Sequence, residues 1–290
     1  MNIVFQINGG IGKCVMATAV CEVIKKHYPE SRLIVISGYP EVFLNNPFVD
    51  RSYAFGGMSY FYEEFVKNKE FKVFAHDPYL QSEFLYQKEH LIKTWCEMYG
   101  MEYTNELPKI YLTDREVNYY RSRFVTDRPL MVIQTNGGAD ANLKYSWARD
   151  LPYQTVVNVI NAFKDDYNIA HIRREDQTSY PNTFGVTENF RGLVVLMSLS
   201  EKRLLIDSVG QHMAASLGLP STVCWVVNKP EVFGYTIHDN IVANPHTSKP
   251  ELRNSYLQEF NIGGDLLEFP YASESDIFNV QDIIQSIKRQ

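Results

Sequence analysis

Long apolar runs, paired cysteines, clustered histidines and an excess of positive charge are all missing from this 290-residue chain, and each absence removes a class of function. No apolar stretch approaches the roughly 18 residues that a membrane helix needs, and no charged leader precedes an apolar core. A membrane span and an export signal are therefore not expected, and the expected location is the cytoplasm. The four cysteines, Cys14, Cys21, Cys96 and Cys224, lie far apart or inside apparent helices and strands, with no C-x-x-C pair. That is the pattern of small buried hydrophobes in a reducing compartment. The seven histidines are scattered without an H-x-x-x-H pair, and Asp165-Asp166 reads as a solvated helix-end pair, so no metal is expected. With 28 Lys and Arg against 34 Asp and Glu, the net charge of -6 argues against a nucleic-acid partner. What remains is an ordinary globular composition, 45% hydrophobic and 21% charged, long enough for two modest domains.

The apolar pattern alternates between short strands and helices. Residues 2–7 (NIVFQI) read as a strand running into Asn8-Gly9-Gly10-Ile11-Gly12 and then a helix. Val15, Met16, Ala19, Val20, Val23 and Ile24 give that helix one buried face, Pro29 stops it, and residues 32–37 form the next strand. The glycine-rich turn lets a ligand approach the backbone, but it lacks the spaced G-x-G-x-x-G of dinucleotide binders, and no acidic residue ends the second strand. Residues 40–45 and 60–67 read as short helices, 51–55 and 72–75 as strands, the latter ending at His76-Asp77-Pro78. Phe84, Leu85, Leu91, Ile92, Trp95, Met98 and Tyr99 predict one longer helix ended by Gly100. Thr113 and Glu116 form a capping box opening another. Asp127-Arg128-Pro129 then breaks the pattern, and the expected organisation is residues 1–127, 128–270 and a terminal helix in 271–290 that packs back across the junction.

The second half repeats the plan. Residues 130–134 and 169–172 read as strands, 152–163 as a helix, and 135–149 as a polar loop. Phe190-Arg191-Gly192 precedes an apolar run, Ser200 is expected to cap a short helix, and 238–261 reads mostly as loop. Residues 204–235 carry the chemistry: an apolar strand ends at Asp207, Ser208-Val209-Gly210 turn, and a short helix follows. Such a turn aims N–H groups and a positive helix end at whatever lies above the sheet. Asp207 offers an acceptor and His212 a cationic donor, a combination suited to sugar hydroxyls and phosphates; the same residues also read as a helix cap and a core histidine. Ligands of open α/β sheets bind beyond the carboxyl ends of the strands. The candidate site therefore gathers Gly9, Gly10, Gly12, Lys13, His76, Asp77, Thr135, Asn136, Lys144, Glu175, Asp207, Ser208, Gly210 and His212.

These residues carry a resemblance. Asn8 to Gly12 with Val15-Met16-Ala17-Thr18, Tyr28-Pro29 and Asn46-Pro47-Phe48-Val49-Asp50 resembles the amino-terminal signature of heptosyltransferase-like glycosyltransferases, family 9. Lys144 with Trp147, Phe190-Arg191-Gly192, and Asp207-Ser208-Val209-Gly210-Gln211-His212 resemble that family's later motifs in the same order. The resemblance implies an α/β protein with two Rossmann-like domains facing a cleft, the GT-B type, the first on the acceptor side and the second binding a nucleotide-sugar. It implies an inverting glycosyltransferase that moves a sugar from a nucleotide-sugar donor to a hydroxyl of a saccharide or other small acceptor, with no required cofactor. A peripheral membrane contact stays open. The donor diphosphate would meet Lys144, Thr135, the Ser208 to Gly210 backbone and His212, while Glu175 would accept from the nucleoside and Asp207 would contact the sugar.

Two departures stand out. The family carries an aspartate after the amino-terminal glycine as its base, and this chain has Lys13, a residue that binds anions more readily than it removes protons. Asp77, with His76 behind it, is the replacement candidate, although His76-Asp77-Pro78 also reads as a plain turn. The family glycine two positions after the later aspartate is Val209, with Gly210 next. A nucleotide-sugar epimerase of the same fold, or a sugar-nucleotide-binding protein without catalysis, remain as alternatives.

Overall fold

The computed structural model describes residues 1–124, 126–137, 145–245 and 269–290. Its first half builds a four-stranded sheet from β1 (Asn2–Ile7), β2 (Arg32–Ser37), β3 (Arg51–Ala54) and β4 (Phe71–Phe74), in the order β3-β2-β1-β4. Its second half builds a six-stranded sheet from β5 (Leu130–Ile133), β6 (Asn168–Ile172), β7 (Phe184–Val186), β8 (Lys202–Ile206), β9 (Thr222–Trp225) and β10 (Asp239–Val242), in the order β10-β9-β8-β5-β6-β7. Every pairing is parallel. Central parallel strands are covered on both faces, which is why they read as unbroken apolar runs such as LMVI in β5.

Helices α1 (Ile11–His27), α2 (Ser82–Leu85), α3 (Leu91–Met98) and α4 (Asp114–Arg121) belong to the first half. Helices α5 (Tyr153–Phe163), α6 (Phe190–Leu199), α7 (Val209–Ser216), α8 (Pro230–Phe233) and α9 (Val280–Arg289) belong to the second. On β5, Leu130 and Val132 point into one apolar cluster while Met131 and Ile133 point into another, as strand alternation requires. The first cluster runs without a break from Ile3 and Phe5, through α1 and α3, to α6, α7 and Trp225. The second lies on the opposite face of the larger sheet, under α5 and α9.

The two-sheet α/β architecture is the one expected, and the capping box at Thr113 and Glu116 forms with both of its bonds. Several local expectations change. Helix α1 is buried continuously from Lys13 to Ile24, not on one face, because it lies between the first sheet and α7. The single helix expected across 84–99 is split into α2 and α3. Gln87 takes a φ of +50° between them, and the His90 ring nitrogen caps α3 by accepting from the Ile92 N–H at 3.3 Å. Phe190-Arg191-Gly192 opens α6 itself, and Ser200 ends that helix instead of starting one. Strand β10 falls in a stretch that reads as loop, and the remainder of that stretch from 246 lies outside the described residues. Helix α9 does not bridge the halves: Ile283, Ile284 and Ile287 pack with α5 and the second sheet, and Ser286 bonds Thr222 at 2.7 Å. Among the described residues no helix is long and apolar enough to cross a membrane.

Candidate functional site

Two helix starts meet at one cleft. After β1 the chain turns through Gly9, whose φ of +112° is open to glycine and closed to most other residues, and Gly10 serves as the N-cap of α1. After β8 it turns through Asp207, and Ser208 is the N-cap of α7. Neither N-cap residue supplies a side-chain bond of its own; in α7 the Gly210 N–H is taken instead by Gln134 Oε1 at 2.9 Å. Gly10 to Lys13 and Ser208 to Val209 line a shared cleft of about 270 Å³. Gly12 permits the approach, because a Cβ there would stand 3.1 Å from the His212 ring and 3.7 Å from the Val209 Cα. Two positive helix ends at one spot favour an anion.

Lys13 enters this cleft but is not a free cation. It is 5% exposed, its Nζ lies 2.7 Å from Asp77 Oδ1, and it sits over the faces of Tyr79 and Trp95 at 4.4 and 5.4 Å from their centroids. Burial lowers its pKa, with the Asp77 bond opposing the shift. Asp77 Oδ1 also accepts from the Tyr79 N–H at 3.0 Å, which fixes the turn after β4. A carboxylate therefore stands beside position 13, supplied by another strand 64 residues along the chain. His76 does not stand behind it. Its ring is exposed, 6.4 Å from the Tyr99 ring and outside the cleft lining.

Just before the N-cap of α7, Asp207 is 9% exposed, and burial pushes its carboxyl pKa up, against the pull of Arg149 and of an amide bond from Asn228. Asn228 Nδ2 donates to Asp207 Oδ2, while Asn228 Oδ1 is buried without a partner among the described residues. Arg149 lines the cleft as well. Its neighbour in sequence, Asp150, accepts from Asn136 Nδ2 at 3.1 Å, the Gly137 N–H at 2.7 Å and the Ser146 N–H at 2.9 Å, tying Gly137 to Ser146.

This network corrects several expected ligand contacts. Asn136 is engaged with Asp150, and Thr135 is fully buried between Asn136 Oδ1 at 2.8 Å and His171 Nε2 at 2.9 Å, so both brace the loop and neither lines the cleft. Gly210 makes room for Gln134, whose Oε1 accepts the Gly210 N–H at 2.9 Å and would stand 2.4 Å from a Cβ there. Gln134 Nε2 donates to Ser208 Oγ at 3.2 Å, stapling the end of β5 to the start of α7. Glu175 is exposed after β6 and outside the lining. Lys144 lies outside the described residues.

His212 lines the cleft but is not cationic. Its burial, with His90 and His238 nearby, pushes its pKa down to about 3. Its Nδ1 lies 2.8 Å from the hydroxyl of Tyr235, whose own pKa burial raises well above the usual value. Either atom of this pair can donate, according to which ring nitrogen carries the proton, and Gln211 Nε2 lies 3.2 Å from both ring nitrogens. The Nε2 edge of the ring faces Gly12. His90, His212 and His238 surround the Tyr235 ring at 5.5, 5.6 and 5.9 Å between centroids.

Gln134, Arg149 and Asn228 were not among the expected ligand residues. Gln134 and Asn228 stand just past the carboxyl ends of β5 and β9, so the strand-end rule alone would have selected them. Among the described residues no group of three or more His, Cys, Asp or Glu could hold a metal ion.

No protein-family model matches this chain. No curated protein matches it. Solved structures do. The glycosyl transferase family 9 protein of Veillonella parvula is 15% identical, with 99% of this chain and 96% of that one covered and a TM-score of 0.69. The E. coli ADP-heptose lipopolysaccharide heptosyltransferase II is 11% identical over 85% of this chain and 92% of that one, with a TM-score of 0.66. The E. coli heptosyltransferase WaaC, solved with ADP, is 8% identical over 84% of this chain and 94% of that one, with a TM-score of 0.57. The fold is thus the heptosyltransferase-like, GT-B type that the motifs suggest.

Proposed function

We propose that the protein is an inverting glycosyltransferase that moves a sugar from a nucleoside diphosphate to a hydroxyl of a saccharide or other small acceptor. The observation that carries this reading is the convergence of the starts of α1 and α7 on one cleft that Asp207 and Arg149 also line, in a fold shared with heptosyltransferases. The donor diphosphate lies at the starts of α1 and α7, where the backbone dipoles and the Arg149 guanidinium stabilise the charge that grows as the glycosidic bond breaks. Asp207 accepts from a hydroxyl of the sugar.

The acceptor enters from the first-sheet side, past Tyr39 and Tyr79. Its oxygen attacks the anomeric carbon, its proton passes to the carboxylate of Asp77, and the bonding electrons leave with the diphosphate. Lys13 holds that carboxylate in place and takes no proton itself.

A thermal-shift series with ADP, UDP, GDP, CMP and dTDP and their sugar conjugates tests the reading, because a ligand of the folded state raises the melting temperature. A selective rise is expected, with transfer falling about 100- to 10,000-fold in Asp77→Asn while the rise persists. No rise with any nucleotide would remove the proposal, and unchanged transfer in Asp77→Asn would remove the base.

A further inference from the structure

Asn228 holds an unsatisfied bond on the cleft wall. It is 9% exposed, and its amide nitrogen is committed to Asp207 because an ionised carboxylate only accepts. That commitment turns Oδ1 the other way, where it is buried and has no hydrogen-bond partner among the described residues. An unpaired buried carbonyl is unfavourable, and native proteins keep few of them. Both Asp207 and Asn228 line the same cleft as the helix starts. Asp207 Oδ2 is taken by the amide, which leaves Oδ1 as the carboxylate's open acceptor. The cleft wall thus carries two acceptors, coupled through the amide, beside the start of α7.

We propose that Asn228 determines donor-sugar specificity: its Oδ1 accepts from one hydroxyl of the transferred sugar while Asp207 Oδ1 accepts from another. The chemical class recognised is a sugar with both hydroxyls free. A deoxy or O-substituted sugar at either position leaves an acceptor buried and unpaired, which discriminates more strongly than apolar contact does. This inference rests on the glycosyltransferase reading of the cleft and adds to it a residue that the motifs do not mark.

The test compares binding of ADP, UDP and GDP with binding of ADP-glucose, UDP-glucose and GDP-mannose, to the wild-type chain and to Asn228→Ala, by calorimetry. Wild type is expected to bind one sugar nucleotide more tightly than its bare diphosphate. Asn228→Ala is expected to lose about 10- to 100-fold for the sugar nucleotide and less than about twofold for the diphosphate. The 2-, 3-, 4- and 6-deoxy analogues of that sugar should include one that loses affinity for wild type and none for Asn228→Ala.

Asn228→Asp supplies a variant of unchanged size. Two adjoining carboxylates repel, so it should bind the sugar nucleotide weakly at neutral pH and recover as acid protonates one of them into a donor toward its partner. Equal losses for diphosphate and sugar nucleotide in Asn228→Ala, or no loss of either, would overturn the inference while leaving the transferase reading intact. Failure of every diphosphate to bind wild type would instead remove both.

Discussion

Gly12 lies directly against the imidazole of His212, with only 3.1 Å between the ring and the place where a Cβ would stand. The two residues come from different halves of the chain, and their contact brings the starts of α1 and α7 to one cleft. Gly12→Val would force these helices apart. Overpacking of this kind costs about 1–3 kcal/mol, and the nucleotide-induced rise in melting temperature should disappear with it. A stable Gly12→Val protein that still responds to nucleotide would mean that the approach is not required for binding.

Lys13 and Asp77 should not be interchangeable in a double-mutant cycle. Asp77→Asn leaves a buried ammonium without its partner, whereas Lys13→Met fills the same space with an apolar body and leaves the more exposed carboxylate to water and the Tyr79 N–H. Asp77→Asn is therefore expected to lower the melting temperature more than Lys13→Met, and the double variant should recover part of that loss. Because the pKa of Lys13 is lowered in the folded state, the unfolded chain binds the extra proton. Stability should rise with pH as this lysine loses its proton, up to the ordinary lysine value. Equal melting temperatures for the two single variants would show that the pair contributes nothing to the fold.

The histidines around Tyr235 predict acid lability. Burial holds His90 and His238 at about 4 and His212 at about 3, below the ordinary 6.5, so the unfolded chain takes up protons that the folded chain refuses. The sign is definite: stability is full above pH 6.5 and falls as the pH drops from there to about 4. His90→Asn keeps an N-cap for α3 and removes one titrating group. It should flatten the fall of melting temperature over that window by about one proton while changing little at neutral pH. A slope identical to wild type would exclude His90.

Arg191 belongs to one of the motifs that carry the family resemblance, and it acts between helices. Its guanidinium donates to Glu116 at 2.7 and 3.0 Å and to the Tyr111 carbonyl at 2.6 Å, tying α6 to α4. The Arg191 bond is the largest cause holding the Glu116 carboxyl at about 2. Arg191→Ala is expected to cost about 1–3 kcal/mol of stability without altering nucleotide affinity in the protein that remains folded. Glu116 contributes stability above its ordinary 4.5 that is lost as the pH falls toward 2, and Glu116→Gln should remove that part of the acid profile. A weakened nucleotide affinity in Arg191→Ala would tie this motif to the cleft.

The parallel strands were legible because two-sided burial writes continuous apolar runs, and Gly9 and Gly12 were legible because close backbone approach demands glycine. The edge strand β10 was not, since its burial is partial and its sequence polar. Side-chain partnership was the least legible level. Nothing near Lys13 in sequence announces Asp77, and nothing in Thr135 or Asn136 reveals that His171 and Asp150 already satisfy them. His212 read as a cation because its type allows it; its neutrality follows from burial, with His90 and His238 adding to it. Asn228 was overlooked because the motifs stop short of it, although its place just beyond β9 follows from the topology of any open parallel sheet.

The apolar cluster that passes from β1 through α1 to β9 has a thermodynamic consequence. Neither sheet can shed the other without wetting the side of α1 that packs on α7, so the halves should melt together. Scanning calorimetry should show a single endotherm whose van't Hoff and calorimetric enthalpies agree, and a proteolytic cut between the sheets should yield no fragment that folds independently. Closing on a donor would then be a matter of side chains and loops moving over a rigid seam.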